Sequence, residues 1–282
     1  LIRQLYYETR LTLEQGGEAL NRENRMAEAK KLLREKLFDW DPKDIKLETG
    51  RHYPPYWQGF QIGAQFAFAK LLKNLGSDEI KIDLTPDTDR DATRICFALS
   101  DHPGIFSRLS GALALVGANV VDARSYTSKD GFATAAFWIQ DSDGAPYDKS
   151  RFSRLRDMIE KTLSGEIITR DAIKERDKFK KRERAFKVAT SITFDNEGSE
   201  IYTIIEVDTR DRPGLLFDLT RTLANMNVYI ASAVIATYGE QVVDSFYVKD
   251  MFGLKFYSES KQKKLEHHLR QAITLGVERA QS

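Results

Sequence analysis

The sequence predicts an α+β protein in which a helical connector precedes two ferredoxin-like β-α-β-β-α-β units with antiparallel sheets. Two observations support this fold class. Apolar residues recur at helical spacing up to residue 75, and alternating, strand-like patterns begin at residue 92. The tetrapeptide "DHPG" at 101–104 then returns as "DRPG" at 211–214, which indicates that the second part of the chain contains one unit twice.

The connector is predicted to be mainly helical. A first helix over 1–15 ends at the glycine pair of "EQGG", and a second helix follows over 18–38. The Pro-Pro pair in "RHYPPYWQGF" (51–60) predicts an extended path. A third helix is predicted over 60–75, and a short strand or loop leads from it into the first unit.

The first unit begins with the strand "ATRICFALS", in which apolar side chains alternate. The corner, a helix, a strand, a hairpin turn at 129–131 and a further strand follow. A helix over 148–163 and a strand at "GEIIT" complete the ferredoxin-like order, and the second unit repeats it as far as a helix over 261–274. The predicted boundaries are 1–90 for the connector, 91–170 for the first unit, 171–198 for a charged linker with an extra strand, and 199–282 for the second unit.

The repeat extends well beyond the corner, at an offset of 110 residues (101 to 211). Each corner is followed by one apolar helical stripe with spacings of three and four residues. The stripe consists of Phe106, Leu109, Leu113 and Val116 in the first unit, and of Leu216, Leu219, Leu223 and Met226 in the second. The same core is therefore expected in both units.

Composition argues against several classes of function. The 43 basic residues nearly cancel the 42 acidic ones, so no net field attracts nucleic acid. No apolar run approaches the roughly 20 residues of a membrane span. The single cysteine, Cys96, cannot form an internal disulfide and is typical of a reducing, cytoplasmic compartment.

The corner has the chemistry of a small binding site. Pro103 fixes φ, and Gly104 lets the backbone turn sharply and approach another molecule. The helix that follows presents unpaired N–H groups, which attract a carboxylate by roughly 0.3–1 kcal/mol per charge. Asp101 beside them is an acceptor for an ammonium group, so the pair suits an amino-acid zwitterion. The alternative is that Asp101 only caps its own helix.

No catalytic or metal site is predicted in this chain. "DTDRD" (87–91) has the acidic spacing of a metal site, but it directly precedes a strand and fits a solvated loop better. The four histidines are not clustered, so structural or solvated roles are expected for them; they are His52, His102, His267 and His268. Cys96 alternates within a strand and is expected to be a buried, unreactive thiol.

Two longer stretches, "DHPGIFSRLSGALALVGANVVDA" and "DRPGLLFDLTRTLANMNVYIASA", resemble ACT domains, which bind amino acids and regulate an attached protein. Together with "LIRQLYYETR" and "HYPPYW", they resemble part of the bacterial protein-PII uridylyltransferases/uridylyl-removing enzymes. The resemblance implies that the connector follows an HD-type catalytic domain upstream of Leu1. It also implies that Mg²⁺ serves the catalytic domains of the complete enzyme, with no cofactor in this chain.

The same resemblance assigns the effector-binding residues. They are Asp101, His102, Gly104, Ile105, Phe106 and Asn119 in the first unit, and Asp211, Arg212, Gly214, Leu215, Leu216 and Tyr229 in the second. Asn119 and Tyr229 begin the strand after the helix and are each expected to face the pocket of their own unit. Tyr229 departs from the Asn-like pattern, and Arg212 replaces the titratable His102, so the Asn119 pocket is predicted to bind glutamine more tightly.

By resemblance, the chain is expected to sense glutamine for a uridylyltransferase/uridylyl-removing enzyme that modifies the PII signalling protein through its catalytic domains. Two alternatives remain: a tandem ACT regulator of another enzyme, or a structural pair that self-associates through its sheets and binds nothing. The segment "HYPPYW" has two interpretations as well. It transmits effector occupancy to a catalytic domain, or Tyr53, Tyr56 and Trp57 only pack the connector.

Overall fold

A computed structural model describes residues 18–102, 104–164, 189–212, 214–238 and 241–281. Three sequence predictions lie outside these residues: the helix over 1–15, the strand at "GEIIT" and most of the charged linker. Among the described helices, none is both long and apolar enough to cross a membrane.

Eight strands form one continuous sheet. Their spatial order is β1-β2-β4-β3-β7-β8-β6-β5, and every neighbouring pair is antiparallel. The strands are β1 (Lys81–Asp87), β2 (Ala92–Ser100), β3 (Asn119–Thr127), β4 (Phe132–Gln140), β5 (Ser191–Asp195), β6 (Thr203–Arg210), β7 (Tyr229–Tyr238) and β8 (Gln241–Lys249).

In the described part of the chain, eight α-helices accompany the sheet. Four belong to the connector: α1 (Glu18–Lys36), α2 (Pro42–Arg51), α3 (Pro54–Gly59) and α4 (Ile62–Leu72). Two follow the strands of the first unit, α5 (Ile105–Leu115) and α6 (Phe152–Leu163), and two follow those of the second, α7 (Leu215–Asn225) and α8 (Glu259–Gln281).

The strand order is a palindrome, and its centre is the pairing of β3 with β7. There Ala123 lies opposite Ala233, so the two small side chains let the two units share one sheet. Both central strands carry an irregularity at the same place in the repeat, after Val120 in β3 and after Ile230 in β7. The predicted duplication is therefore present as two copies related by an approximate two-fold axis.

The two faces of the sheet are covered differently. Helices α5 to α8 cover one face of both units and bury the predicted apolar stripes, with Leu109 and Leu219 fully buried. Among the described residues, the connector helices cover the other face of the first unit and not that of the second; on the first unit, Trp57 and Phe68 pack with Trp138 and Ala136 of β4. On that face of the second unit, the side chain of Val234 is 38% exposed.

The structure corrects several boundaries in the connector. "PPYWQG" forms α3 rather than an extended segment, because proline is tolerated in the first turn of a helix, where its missing N–H has no partner to lose. The helix predicted over 60–75 is shorter, and an unpredicted helix, α2, starts at an Asp41 cap. The stretch before the first unit contains the paired edge strand β1.

Boundaries elsewhere shift as well. The helix predicted over 148–163 begins as a 3₁₀ turn over Lys149–Arg151 and becomes α-helical only at Phe152. The last helix is longer than predicted, because α8 extends at both ends of the 261–274 stretch. These changes leave the order of elements in the described part of each unit as predicted.

Candidate functional site

Both corners have the same backbone. Gly104 and Gly214 adopt left-handed conformations, with φ of +83° and +75°, and each directly precedes the helix of its unit. A side chain at these positions would be strained, which explains the glycine. Neither helix has a side-chain cap. Asp101 therefore does not cap α5, and the alternative that its role is only helix capping is not supported.

In the first unit, Asp101 is the end of a hydrogen-bonded chain that crosses between the units. Its Oδ2 accepts from Thr127 Oγ1 at 2.5 Å, and Thr127 Oγ1 lies 2.9 Å from Tyr229 Oη of the second unit. Because the threonine hydrogen goes to the carboxylate, the tyrosine hydroxyl is the donor to Thr127. Burial raises the pKa of Tyr229 to about 12, so it remains a neutral donor.

The three hydrogen-bonded residues Asp101, Thr127 and Tyr229 line a cavity of about 770 Å³. This volume is within the range of small-molecule sites. Three parts of the molecule build it. The connector contributes Tyr53, Pro54 and Pro55; the first unit contributes all its predicted corner residues, Asp101, His102, Gly104, Ile105 and Phe106; the second contributes Ala224, Asn227, Tyr229, Lys249 and Met251 among others.

The strand-start residue at the first corner comes from the second unit. Asn119 is exposed and lies opposite Gln140, and it does not line the cavity beside Asp101. Tyr229 lines it instead. The expectation that each strand start faces the corner of its own unit is wrong, because β7 runs antiparallel to β3 and its beginning lies beside the end of β3. Sequence reasoning treated the units separately and missed this crossing.

The second corner places its residues differently. The side chain of Arg212 is buried, and its Nη2 lies 2.5 Å from Asp218 Oδ2. The guanidinium is so close to α8 that a Cβ added at Gly276 would clash with it. Leu215 is buried, and Leu216 packs on the apolar core. The variable residue of this corner therefore points into the protein.

The equivalent pair in the first unit has another polarity. His102 corresponds to Arg212 and Arg108 to Asp218, each at the offset of 110 residues. Arg108 Nη1 donates to His102 Nε2 at 2.9 Å, so the ring accepts at this nitrogen, and both residues remain partly accessible. The first corner thus presents an imidazole at the cavity, with the Arg108 guanidinium bonded to it from outside the lining.

Asp244 is a buried carboxyl group that sequence reasoning did not single out. It lies on β8 between the core residues Val242 and Phe246, and its Oδ1 has no hydrogen-bond partner. Burial, and secondarily the charge of Asp211, raises the pKa of Asp244 well above the ordinary value. The signal was an aspartate on the apolar side of an alternating strand, where the first unit has Ala135.

The remaining candidates are structural. His52 is buried, lies 3.1 Å from Glu48 Oε1 and stacks on Tyr56 with ring centroids 3.5 Å apart; burial lowers its pKa. In "DTDRD", Asp87 accepts a hydrogen bond from Trp138 Nε1. Burial raises the pKa of Cys96 to about 12, so the thiolate is disfavoured.

The last two histidines lie on α8. His267 and His268 contact each other edge to face, and His268 Nδ1 lies 2.7 Å from the carbonyl oxygen of Lys264. Within the part of the chain that the structure describes, no group of three or more His, Cys, Asp or Glu residues is placed to share a metal ion.

The connector is fastened to the first unit next to the cavity. Arg51 Nη2 lies 2.8 Å from Asp130 in the β3–β4 hairpin, and Lys129 donates from both its backbone N–H and its ammonium group to connector carbonyls. Tyr126, which lines the cavity, packs edge to face on Phe60. In "HYPPYW", Tyr56 and Trp57 are buried as packing residues, while Tyr53 is 52% exposed at the cavity.

Known proteins agree with this architecture. The family model of the ACR9-like, ACT-like domain matches residues 191–278, which include β5 to β8 and most of α8. Among solved structures, aspartate kinase from Synechocystis aligns with 64% of this chain and 26% of its own, at 17% identity. The TM-score of this alignment is only 0.34.

Curated relatives match almost the whole chain. The bifunctional uridylyltransferase/uridylyl-removing enzyme of Cereibacter sphaeroides is 67% identical over 280 residues, which are 99% of this chain and 30% of the enzyme. That of Azospirillum brasilense is 38% identical over 278 residues, again 30% of the enzyme. The chain thus spans about 30% of the length of these relatives. It is homologous to one part of the bifunctional uridylyltransferases/uridylyl-removing enzymes, the part that in this chain forms a helical connector and two ACT domains.

Proposed function

We propose that this chain is the effector-binding region of a protein-PII uridylyltransferase/uridylyl-removing enzyme, and that free glutamine binds in the cavity between the two ACT domains. The observation that carries the proposal is the Asp101–Thr127–Tyr229 chain, which spans both domains beside the uncapped start of α5. The relatives named for this activity support the choice of enzyme.

The cavity offers complementary groups to a zwitterion. The carboxylate of Asp101 is an acceptor for the ammonium group, and the first turn of α5 offers N–H donors to the carboxylate. The Arg108 guanidinium, 2.9 Å from the cavity-lining His102, adds positive charge near this corner. The hydroxyl oxygens of Thr127 and Tyr229, whose hydrogens are already donated, can each accept a further hydrogen bond from a polar side chain. A few charge-assisted hydrogen bonds are sufficient for a millimolar affinity, about −4 kcal/mol, which suits a metabolite sensor.

Regulation follows from the composition of the cavity wall. A ligand that contacts Tyr53 of the connector and Tyr229 of the second domain binds one arrangement of these parts better than others. In the complete enzyme, glutamine would then favour removal of UMP from PII over its addition. The catalytic domains, which would use Mg²⁺, and the PII protein would lie beyond this chain, in a reducing cytoplasm.

The two corners are not equivalent in this proposal. The first corner is the glutamine site, because its polar groups face a cavity of sufficient size. The second corner is mainly structural, because Arg212 is directed inward to Asp218 and α8. This agrees with the expectation that the first site is the tighter one, although Tyr229 replaces Asn119 as its strand residue.

Isothermal titration with glutamine tests the proposal. Asp101→Ala and Thr127→Val are expected to weaken binding by about tenfold or more each, the loss of roughly 1.4 kcal/mol or more. The matched controls are Asp211→Ala, the same change in the second corner, and Asn119→Ala; both should bind within about twofold of the wild type. Loss of affinity in Asp211→Ala alone, or no heat with glutamine for the wild type, contradicts the assignment.

A thermal-shift screen of free amino acids separates this function from its rivals. A midpoint raised by glutamine alone supports the glutamine sensor. A response to a different amino acid instead indicates a tandem ACT regulator with another effector. No response to any amino acid supports a structural pair, the function already suggested for the second corner.

A further inference from the structure

Two loops of the molecule share one backbone. The loop after β4 starts at Asp141, and the loop after β8 starts at Asp250. In each, the aspartate Oδ1 accepts from the N–H groups two and four residues later, at 2.9 and 3.1 Å in the first loop and 2.9 Å twice in the second. In each, the aspartate N–H donates 2.8 Å to the carbonyl four residues on. Gly144 and Gly253 are left-handed in both.

The anchors beyond the loops are also equivalent. The N–H of Tyr147 donates to Thr93 Oγ1 at 2.9 Å, and the N–H of Phe256 donates to Thr203 Oγ1 at 2.8 Å. Both aromatic side chains are buried. The first loop is therefore an internal control that shows what the backbone of the second requires.

The exposed side chains of the two loops differ. The first loop presents Ser142, Asp143 and Ala145 to solvent. At the equivalent positions the second presents Met251, Phe252 and Leu254, which are 67, 73 and 62% exposed. Since serine, aspartate and alanine serve the same backbone, the fold does not require these apolar residues. Exposed apolar clusters of this kind mark interaction sites.

Concave surfaces lie on both sides of this apolar loop. A cleft of about 220 Å³ separates it from α8 and is lined by Met226, Phe256 and Leu265, with Lys261 and Lys264 at the rim. A second cleft, of about 440 Å³, lies on the other side and is lined by Ile201, Leu254 and Tyr257, again with Lys261. Tyr257 is 70% exposed. The clefts offer places for large apolar side chains of another molecule.

The clefts are lined by charges of both signs: Lys261 and Asp250 line both clefts, Lys264 lines the first and Glu200 the second. Asp250 Oδ1 is already occupied by the loop's own N–H groups. Lys261 and Lys264 are exposed, and among the residues described here neither has an acidic partner. Lys255, by contrast, is held by the carbonyl oxygens of Asn196 and Ser199. The ammonium group of Lys261 lies next to both clefts and that of Lys264 next to the first, and both are complementary to carboxylates.

We propose that the apolar loop 251–254 and its two clefts dock an acidic, apolar segment of a partner protein, with leucine or phenylalanine side chains in the clefts and aspartate or glutamate opposite Lys261 and Lys264. A protein segment fits better than an anionic bilayer. The clefts are concave and can take single protruding side chains, whereas a bilayer surface is broad and flat.

The test uses a fluorescein-labelled peptide of twelve residues that alternates pairs of Asp or Glu with pairs of Leu or Phe. A second peptide has Lys in place of the acidic residues. Fluorescence anisotropy with the wild-type chain should show binding of the acidic peptide and at least about tenfold weaker binding of the basic one. Equal binding of both peptides, or none, overturns the proposal.

Variants locate the binding. The triple change Met251→Ser, Phe252→Asp and Leu254→Ala installs the first loop's residues on the same backbone and should weaken binding of the acidic peptide at least about tenfold, with little change in the unfolding midpoint. Lys261→Glu with Lys264→Glu should do the same. The control is Leu32→Ala, an exposed leucine of α1, which should have no effect.

Three further outcomes would overturn the proposal. They are undiminished binding in the triple variant, sedimentation with vesicles of anionic lipid that the triple change abolishes, and a concentration-dependent dimer that it dissociates. The first shows binding elsewhere, the second a membrane surface and the third a second copy. Glutamine titration of the triple variant keeps this result separate from the proposed effector site, which Met251 borders, because the peptide-binding result stands whether or not glutamine binds.

Discussion

The two ACT domains share a core but differ in sheet coverage, in the corner and in the loop after the β-hairpin. In the first, the sheet is covered on both faces and the corner opens into a cavity. In the second, the connector face is open, the corner is filled by Arg212, and the loop after the hairpin is apolar. Both copies therefore keep the buried stripes while their surfaces differ; in our proposals the first domain supplies the ligand site and the second supplies structure and docking.

The largest expected effect on stability comes from placing a charge on the face of the sheet that the connector covers in the first domain. Ala136 of β4 is buried under the connector, whereas its equivalent, Ser245 of β8, is half-buried on the open face. Ala136→Glu places an unpaired charge in an apolar contact and should cost about 4 kcal/mol or more in the free energy of unfolding. Ser245→Glu should cost less than about 0.5 kcal/mol. Denaturant unfolding of both variants measures the contrast, and similar costs would show that both faces are equally covered.

The next effect concerns the two corner pairs. Asp218→Ala removes a charged partner of the buried guanidinium of Arg212 and should destabilise the protein by roughly 3 kcal/mol. Arg108→Ala removes the partner of a more accessible histidine, so about 1 kcal/mol or less is expected. Thermal and denaturant unfolding compare the two. A larger cost for Arg108→Ala would contradict the assignment of the second corner as the structural one.

A smaller effect is the pH dependence of stability that Asp244 gives the hairpin of the second domain, where the first domain has Ala135. Because Asp244 has a raised pKa in the folded protein, it stays protonated while the unfolded chain ionises. It therefore lowers stability as the pH rises from about 4, the ordinary value, toward its folded pKa. Asp244→Asn should remove this loss and raise the unfolding midpoint at pH 7 relative to the wild type, with little difference near pH 3.5. A wild-type midpoint that falls in parallel with that of the variant would show that Asp244 is not the cause.

The smallest effect is expected at the strand starts. Asn119→Ala changes an exposed residue outside the cavity and should alter stability by no more than about 0.5 kcal/mol. Tyr229→Phe removes the hydroxyl that donates to Thr127, and a cost of about 1 kcal/mol is expected. Unfolding midpoints of the pair check this order. The reverse order would contradict the assignment of Tyr229, and not Asn119, as the strand-start residue that stabilises the contact between the units.

The fold could be predicted where the sequence repeats local patterns. The stripe of Leu109 and its counterpart Leu219, and the corner glycines, depend on spacing and on φ alone, so both units were found. The pairing of β3 with β7 depends on which two edges meet. Ala123 and Ala233 permit this pairing, but small residues in a strand do not identify the strand with which it pairs. The exchange of Asn119 for Tyr229 follows from that pairing and was missed with it.

Local chemistry was also misjudged where two signals competed. The prolines of "PPYWQG" indicate either an extended segment or the first turn of a helix, and the buried Tyr56 and Trp57 decided for the helix. Asp244 gave a signal, a charge within an apolar alternation, but the burial that makes it unusual exists only once α7 covers the sheet.

The palindromic sheet has a consequence for how such a cavity arises. Tyr229 reaches Asp101 only because a second copy lies across the two-fold axis, so a lone ACT unit would have to meet another molecule of itself to enclose a ligand, and its sensitivity would rise and fall with its own abundance. Joining the copies in one polypeptide fixes the neighbour at a constant effective concentration. In our proposals, it also leaves the second domain free to give up ligand binding at its corner and to acquire a docking surface at loop 251–254.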